Sequence, residues 1–102
     1  MIARIWRGIT QESKSHEYLD YLMKTGLKDY RATKGNRGVY VLRRVGGGRV
    51  EFLLISLWES FDAIRKFAGP EIEKAVYYPK DKEFLLELDP HVLHYEIVVA
   101  PE

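Results

Sequence analysis

Cysteine is absent from the 102-residue sequence, which excludes disulfide bonds, thiolate metal sites and a cysteine nucleophile. Long apolar runs are also missing. The longest, from Phe52 to Ile55, ends at Ser56, whereas a transmembrane helix needs about 20 apolar residues. Arginines interrupt the start of the chain too early for a secretory signal peptide, and no glycine-rich loop opens a helix as a phosphate-binding loop would. We therefore expect one cytoplasmic domain over residues 1–102, without a membrane partner.

What the sequence does contain is typical of a globular domain, with 46% hydrophobic residues, 30% charged residues and a net charge of +1. The charge is uneven, because basic residues dominate from Leu27 to Arg49 and acidic residues dominate after Val50. Such asymmetry either steers an anionic ligand or is neutralised where the two halves meet in the fold or across a dimer. The sequence leaves both alternatives open.

Alternating and helical spacings of apolar residues predict a β-α-β-β-α-β order. The predicted strands cover residues 2–8, 39–45, 50–58 and 91–99, and the predicted helices cover residues 11–25 and 61–68, with further turns at 72–76 and a short irregular or helical piece at 84–88. The expected helix caps and helix ends are Thr10, Gly26, Ser60 and Gly69. Residues 28–37 are expected to form a loop and residues 46–48 a hairpin turn. This order predicts an α+β, ferredoxin-like fold with an antiparallel sheet and both helices on one face.

The predicted strand over residues 50–58 is apolar on both faces except at Glu51 and Ser56, which is typical of a central strand covered on both sides. Because the helices cover only one face, the other face needs a second cover. A second copy of the chain is the simplest one. Burying about 800 Å² per partner at about 25 cal/mol per Å² gives about 20 kcal/mol before the costs of association. We therefore expect a homodimer.

Five segments spread over nearly the whole chain carry a resemblance to a known family. They are Ile5-Trp6-Arg7-Gly8, Leu57-Trp58-Glu59-Ser60 leading into Phe61-Asp62-Ala63-Ile64, Phe67-Ala68-Gly69, Ala75-Val76-Tyr77-Tyr78-Pro79, and His94-Tyr95-Glu96-Ile97-Val98. With them the chain resembles the antibiotic biosynthesis monooxygenase domain family of the dimeric α/β-barrel superfamily. The resemblance implies two ferredoxin-like chains packed sheet to sheet, and in each chain a pocket between sheet and helices. It also implies one of several activities, since some members are oxygenases that need neither metal nor flavin and others degrade haem.

The haem-degrading branch of that family makes a prediction for particular positions. It uses an asparagine on the first strand, a tryptophan in the second helix and a histidine about ten residues later as iron ligand. Counted from Trp58 and Ser60, the tryptophan position falls on Phe67 and the histidine position on Tyr77, and the first strand has no asparagine. A tyrosine can ligate haem iron, but none of the three positions matches. We therefore expect no haem and, more generally, no cofactor.

His94 and two arginines are the candidates for catalytic residues. A histidine has a reference pKa of about 6.5 and can accept a proton at neutral pH, so His94 is the candidate general base. Arg43 and Arg4 lie in otherwise apolar strands, where an inward guanidinium would stabilise an enolate or phenolate oxygen. The alternatives are an interface histidine for His94 and, for the arginines, salt bridges to Glu51 or Glu96.

Five aromatic side chains are candidates for the walls of a pocket for a flat ligand, and the alternative for each is an ordinary place in the core. They are Trp6, Trp58, Tyr77, Tyr78 and Phe67. A metal site is not expected, because His91 and His94 point to opposite faces of one strand and His16 is distant.

RNA binding is an alternative because RNA-recognition domains share this order of strands and helices. The segment Arg37-Gly38-Val39-Tyr40-Val41-Leu42 partly matches their basic-glycine-aromatic motif. It falls on the second strand instead of the third, however, so no nucleic acid partner is expected.

These patterns together predict a domain that binds a small, aromatic molecule. The resemblance adds the expectation of a cofactor-independent monooxygenase acting on phenolic or anthrone-like substrates. The alternative is a homodimer that binds or has a structural role without catalysis.

Overall fold

A computed structural model describes residues 1–101 of the chain. The strands are β1 (Ile2–Gln11), β2 (Asn36–Gly46), β3 (Arg49–Trp58) and β4 (Leu93–Glu96), and the α-helices are α1 (Ser15–Lys24), α2 (Gly26–Ala32), α3 (Phe61–Ala68) and α4 (Asp81–Phe84). The strands form one antiparallel sheet in the order β2-β3-β1-β4. This confirms the predicted α+β, ferredoxin-like fold. Within residues 1–101 no helix combines the length and the apolar character needed to cross a membrane.

The two central strands present one face to the helices and the other away from them. On β3 every second residue from Val50 to Trp58 is buried, and the register places Arg4 and Trp6 of β1 on that same face. The core cluster joins these strand residues to side chains of α1, α2 and α3. Ala3, Ile5 and Arg7 lie on the opposite face, as the period-2 alternation predicts. This opposite face is called the open face below.

The predicted loop over residues 28–37 is wrong, because α2 occupies its first half and β2 already begins at Asn36. Leu27 and Tyr30 lie three residues apart on one side of α2 and are both buried. Gly26 does not end the first helix in a left-handed conformation, as its φ is not positive. Instead, Thr25 separates α1 from α2, and its side-chain hydroxyl donates to the Tyr21 carbonyl at 2.8 Å.

The first strand is longer than predicted, which also displaces the start of the first helix. β1 pairs with β3 as far as Gln11 opposite Arg49, so Thr10 is a buried strand residue and not the expected helix cap. A short 3₁₀ turn, Glu12–Lys14, then leads into α1. The hydrogen-bonded pairing with β3 continues to the end of the β2–β3 hairpin. This pairing keeps Gly8 and Thr10 in the strand, although both residues locally favour its end.

The second of the two predicted helices, observed as α3, begins and ends as predicted. The Ser60 hydroxyl accepts a hydrogen bond from the Ala63 N–H at 3.1 Å, and Gly69 follows the helix with a φ of 83°, a conformation that favours glycine. The further helical turns predicted at residues 72–76 are wrong. This stretch runs beside residues 90–92 instead, with the Ala75 N–H donating to the Pro90 carbonyl at 2.9 Å. Residues 69–80 are called the connecting segment below.

The last strand is shorter than the predicted 91–99, because the regular ladder with β1 covers only Leu93–Glu96. The open face carries large apolar side chains that remain exposed at its edges. Leu93 is 59% exposed and Tyr95 55% on β4, and Tyr40 is 56% exposed on β2. Between these edges lie partly exposed Leu53, Ile55 and Leu57 of β3. The open face is therefore a broad, mainly apolar surface in one chain.

Candidate functional site

A cavity lies between the helix-covered face of the sheet and the helices. Its walls are formed by Trp6, Tyr18, Leu22, Gly26, Tyr30, Leu54, Phe67, Val76, Tyr78 and Asp81. The cavity has about 300 Å³ of empty space including its opening, but only about 20 Å³ of it is wide enough for the centre of a water molecule. That is room for about one ordered water. A larger ligand would therefore require the side chains at the opening to move.

Asp81 is the one carboxyl group on the cavity wall, and no sequence pattern marks it as a site residue. It is only 5% exposed, and its Oδ2 accepts a hydrogen bond from the Tyr78 N–H at 2.6 Å. Burial raises the pKa of Asp81, and the Tyr78 hydrogen bond opposes the rise in part. A carboxyl group with a raised pKa beside apolar and aromatic walls is suited to accept and return a proton.

Tyr18 and Tyr78 bring two phenol groups to the same cavity. Burial is the main cause that raises the pKa of each. For Tyr78 the second cause is the hydrogen bond from its hydroxyl to Asp29 Oδ2, at 2.6 Å. Because Asp29 lies on α2 and Tyr78 on the connecting segment, this hydrogen bond joins the two sides of the opening. Both tyrosines are therefore neutral hydrogen-bonding groups at physiological pH.

Arg4 lies in the centre of the sheet next to this cavity and is 1% exposed. Its Nη2 donates to the Lys74 carbonyl at 3.0 Å, and its guanidinium stands 5.5 Å from the centre of the Phe67 ring, a cation–π distance. Burial lowers the pKa of Arg4, while the nearby Tyr30 raises it. An arginine nevertheless stays protonated at physiological pH. A positive charge is thus buried directly behind two cavity walls, Phe67 and Tyr30.

His94 is the cross-strand neighbour of Arg4 and faces the same side of the sheet. Burial lowers the pKa of His94, and the positive charge of Arg4 lowers it further. The imidazole is therefore neutral at pH 7, as a general base must be. However, His94 does not line the cavity. Its ring packs edge-on against Phe61, with ring centres 6.1 Å apart.

Arg43 lies far from both of these residues. It is exposed on β2 and borders a surface groove beside Glu12 and His16. In the sheet, Arg43 lies opposite Phe52, which itself lies opposite Gly8 of β1. His94 lies opposite Arg4, which is four residues before Gly8 on β1. Three strand spacings and four residues along the strand separate the two backbones, which corresponds to about 20 Å. Arg43 and His94 are thus not brought together.

The five predicted aromatic residues divide into two groups. Trp6, Phe67 and Tyr78 line the cavity. Trp58 is fully buried in the core, where its Nε1 donates to the Ser56 hydroxyl at 2.8 Å. Tyr77 packs edge-on against Trp6 with ring centres 6.3 Å apart and donates its hydroxyl hydrogen to the Asp89 carbonyl, so it supports the wall from behind.

Haem does not fit the residues around the cavity. Tyr77, at the position of the iron ligand, has its hydroxyl engaged by Asp89. Burial raises the pKa of Tyr77, which disfavours the phenolate that would bind iron. Among residues 1–101 there is also no group of three or more His, Cys, Asp or Glu side chains placed to hold a metal ion.

Comparison with known proteins identifies relatives through structure alone. Neither the protein-family models nor the curated proteins give a match. Among solved structures, Rv0793 from Mycobacterium tuberculosis is similar with a TM-score of 0.67 and 19% identity over 99% of this chain and 98% of that one. A Bacillus cereus protein that carries the name of the antibiotic biosynthesis monooxygenases gives a TM-score of 0.68 and 15% identity over 99% and 96% of the chains. The haem degrader MhuD from Mycobacterium tuberculosis, with two haems bound, gives 0.61 and 20% over 100% of both.

At these identities the comparisons establish a shared fold over the full length of the chains and leave the reaction open. The similar structures include both branches that the sequence resemblance implies, an oxygenase-type protein and a haem degrader. The resemblance seen in the sequence is thereby confirmed at the level of architecture: this chain has the α+β, ferredoxin-like fold of the antibiotic biosynthesis monooxygenase family.

Proposed function

We propose that the chain binds a small, flat, largely apolar aromatic molecule in the cavity between sheet and helices. The observation that carries this proposal is the composition of the walls. Trp6, Tyr18, Tyr30, Phe67 and Tyr78 contribute aromatic rings from five different parts of the chain. Aromatic side chains around a partly enclosed space favour stacking with a planar ligand.

Access to the cavity runs through the wall made by Phe67, Val76 and Tyr78. These three residues line the cavity on one side and an outer groove beside Asp29 on the other. Only the Tyr78–Asp29 hydrogen bond links this wall to α2 through side-chain polar atoms within residues 1–101. Displacing the three side chains would join groove and cavity into a space of the size that small-molecule sites usually have.

Asp81 favours a more specific, second function, that of a cofactor-independent monooxygenase. An anthrone-like or hydroquinone-like substrate would lose a proton to the Asp81 carboxylate, and its carbanion or phenolate would then reduce O₂ in one-electron steps. For a CH₂ substrate, a C–O bond forms in a hydroperoxide, and loss of water from it leaves C=O. One anthrone-like substrate and one O₂ thus give one ketone and one water, and the proton held by Asp81 leaves in that water. One hydroquinone-like substrate and one O₂ give one quinone and one H₂O₂, which takes up that proton instead.

The other polar groups have supporting roles in this proposal. Arg4 supplies a positive potential behind Phe67 that favours the deprotonated substrate. Tyr18 and Tyr78 supply neutral hydroxyls for orientation. His94 remains the alternative base, acting on a substrate that reaches past Phe67 toward Arg4. The two bases make different predictions, because only Asp81 lies on the wall of the cavity.

Oxygen uptake with a panel of anthrones and hydroquinones tests the catalytic part. We expect Asp81→Asn to lower turnover about 100-fold or more, since asparagine can still accept the Tyr78 N–H hydrogen bond but cannot take a proton. The matched control is Asp20→Asn, at an exposed position of α1, which should leave turnover unchanged. A large loss in His94→Gln with none in Asp81→Asn would move the role of base to His94. Ligand binding without oxygen uptake would leave the non-catalytic binding function.

The homodimer is proposed on a separate observation, the apolar open face. Leu53 and Ile55 form its middle, and Tyr40, Leu42 and Leu93 form its edges. Light scattering should give about twice the chain mass of 11.9 kDa. Leu42→Lys should reduce that mass to one chain by burying a charge in the interface, whereas Met23→Lys, at an exposed position of α1, should not. A wild-type particle of one chain mass at micromolar concentration would refute the homodimer.

A further inference from the structure

The guanidinium of Arg4 is a buried positive charge without a counter-ion. No carboxylate of residues 1–101 forms a salt bridge with it. Of its three nitrogens only Nη2 has a hydrogen-bond acceptor, the Lys74 carbonyl. Nε and Nη1, which carry three N–H groups between them, are buried and donate to nothing. Buried arginines are normally paired with an acid and fully hydrogen-bonded. Arg4 therefore lacks both a counter-ion and part of its hydrogen bonds.

Other unpartnered hydrogen-bonding atoms surround Arg4 on the same face of the sheet. His94 lies directly opposite Arg4 in the β1–β4 ladder, and its Nε2 is buried without a partner. Trp6 is two residues along β1, and its Nε1 is buried without a partner as well. The arginine and the indole offer only N–H donors. What this region lacks is a set of acceptors, and a ligand with negatively charged oxygens would supply them.

The groups nearest to the guanidinium are neutral or favour an anion. The Tyr30 hydroxyl is close enough to raise the pKa of Arg4 but does not complete a hydrogen bond with its Nε or Nη1. Phe67 covers the guanidinium and also forms a wall of the cavity. Glu73 acts on His94 and, like Asp29 at the opening and Asp81 on the cavity wall, forms no salt bridge with Arg4. An anion that reaches past Phe67 thus finds the guanidinium unpaired.

We propose that Arg4 and its neighbours form an anion subsite at the inner end of the cavity, and that the ligand is a small aromatic carboxylate. A carboxylate has two planar oxygens with several acceptor positions and matches a guanidinium with several free N–H groups. A phenol has one oxygen and would leave more of them unpaired. The aromatic ring of the ligand would then lie where Phe67 and Trp6 form the cavity walls. This inference rests on the proposed binding function and adds the charged group of its ligand.

The test compares three ligands of one shape: 2-naphthoate, 2-naphthamide and 2-naphthol, measured by calorimetry at pH 7 with the full chain. We expect naphthoate to bind at least about 10-fold more tightly than the amide, because hydrogen bonds to charged groups are the stronger ones. Arg4→Met should abolish this difference. Arg43→Met, which removes an exposed arginine on the edge strand, should preserve it.

A second measurement does not depend on the folding of Arg4→Met. In ¹⁵N spectra of the wild type, the Arg4 Nε–H signal, identified from Arg4→Lys, should shift when naphthoate is added and stay in place with naphthamide. Equal affinities of the three ligands, or an unmoved Nε–H signal with bound naphthoate, would overturn the anion subsite and leave aromatic binding standing. Failure of all three ligands to bind would overturn the proposed function and the subsite with it.

Discussion

Gly8 gives the sharpest prediction about how the cavity is built, because its missing side chain makes room for Trp6. A methyl group on Gly8 would lie 2.3 Å from Cη2 and 2.9 Å from Cζ3 of the Trp6 indole, and 3.0 Å from a Leu85 methyl. Two of these three distances are far below van der Waals contact. The indole therefore lies across the backbone of its own strand, and any larger residue at position 8 must push it toward the cavity.

We expect Gly8→Ala to destabilise the protein by about 1–3 kcal/mol, the usual cost of overpacking a core, and to lower Tm by about 5–15 °C. Gly46→Ala is the matched control, because it is also at a strand position but has nothing within 4 Å of the added methyl. The control measures the increase in the free energy of unfolding that any glycine-to-alanine change brings by restricting the unfolded chain. Urea unfolding followed by circular dichroism gives both values.

The clash can be assigned to the indole with a double-mutant cycle. Trp6→Phe removes the two ring atoms nearest to the added methyl, so Gly8→Ala should cost at least about 1 kcal/mol less in that background. The Trp6→Phe variant itself will be less stable, since it leaves a cavity, and the cycle subtracts this effect. Equal stability of Gly8→Ala and Gly46→Ala within about 0.5 kcal/mol would refute this account of the Trp6 wall.

Three further predictions concern charge and access. The raised pKa of Asp81 means that the folded state prefers the protonated carboxyl group. The stability of the wild type relative to Asp81→Asn should therefore fall as the pH rises from 3.8 through the raised pKa. If urea midpoints of the wild type and the variant showed the same pH dependence, the burial of this carboxyl group would be contradicted. The pKa of His94 is lowered, so the pH dependence has the opposite direction: the stability of the wild type relative to His94→Gln should fall as the pH drops from 6.5 through the lowered pKa. Parallel stability-versus-pH curves for the two proteins would show that the imidazole is solvated. Tyr78→Phe removes the hydrogen bond to Asp29 at 2.6 Å, costs about 1 kcal/mol of stability, and should speed ligand association in stopped flow, whereas an unchanged association rate would place the entrance elsewhere.

The sheet was predictable because its signals are local and repeated. Alternation along β1 and β3 indicates which residues share a face, and the glycines after Val45 indicate the hairpin. The Ser60 cap is similarly local. By contrast, α2 has few apolar residues, and the role of Tyr30 is evident only when its ring is packed against Trp58 and Phe67. Its helical state depends on tertiary packing more than on local propensity.

The cavity walls were partly predictable for the same reason. Trp6 and Phe67 belong to elements with clear periodicity, so their inward direction follows from the pattern. Asp81 does not, because it stands in the polar run Lys80-Asp81-Lys82 after a proline, which is typical of an exposed turn. Its burial arises when the connecting segment folds back and brings α4 against Tyr18. That contact joins residues more than sixty positions apart, and no local pattern encodes it.

The two arginines show what residue type and face alone leave undecided. Arg4 and Arg43 both lie on the helix-covered face of the sheet, yet Arg4 is in a central strand and Arg43 is exposed on an edge strand. The alternative role for Arg4, a salt bridge to Glu51 or Glu96, is not formed. Glu51 on the open face is engaged by Arg7 and Arg44 instead. Central position supplies the burial, and the absence of a carboxylate partner among residues 1–101 leaves the charge open to a ligand. The proposed anion subsite therefore follows from two features: β1 is a central strand, and Glu51 forms its salt bridges with arginines on the opposite face.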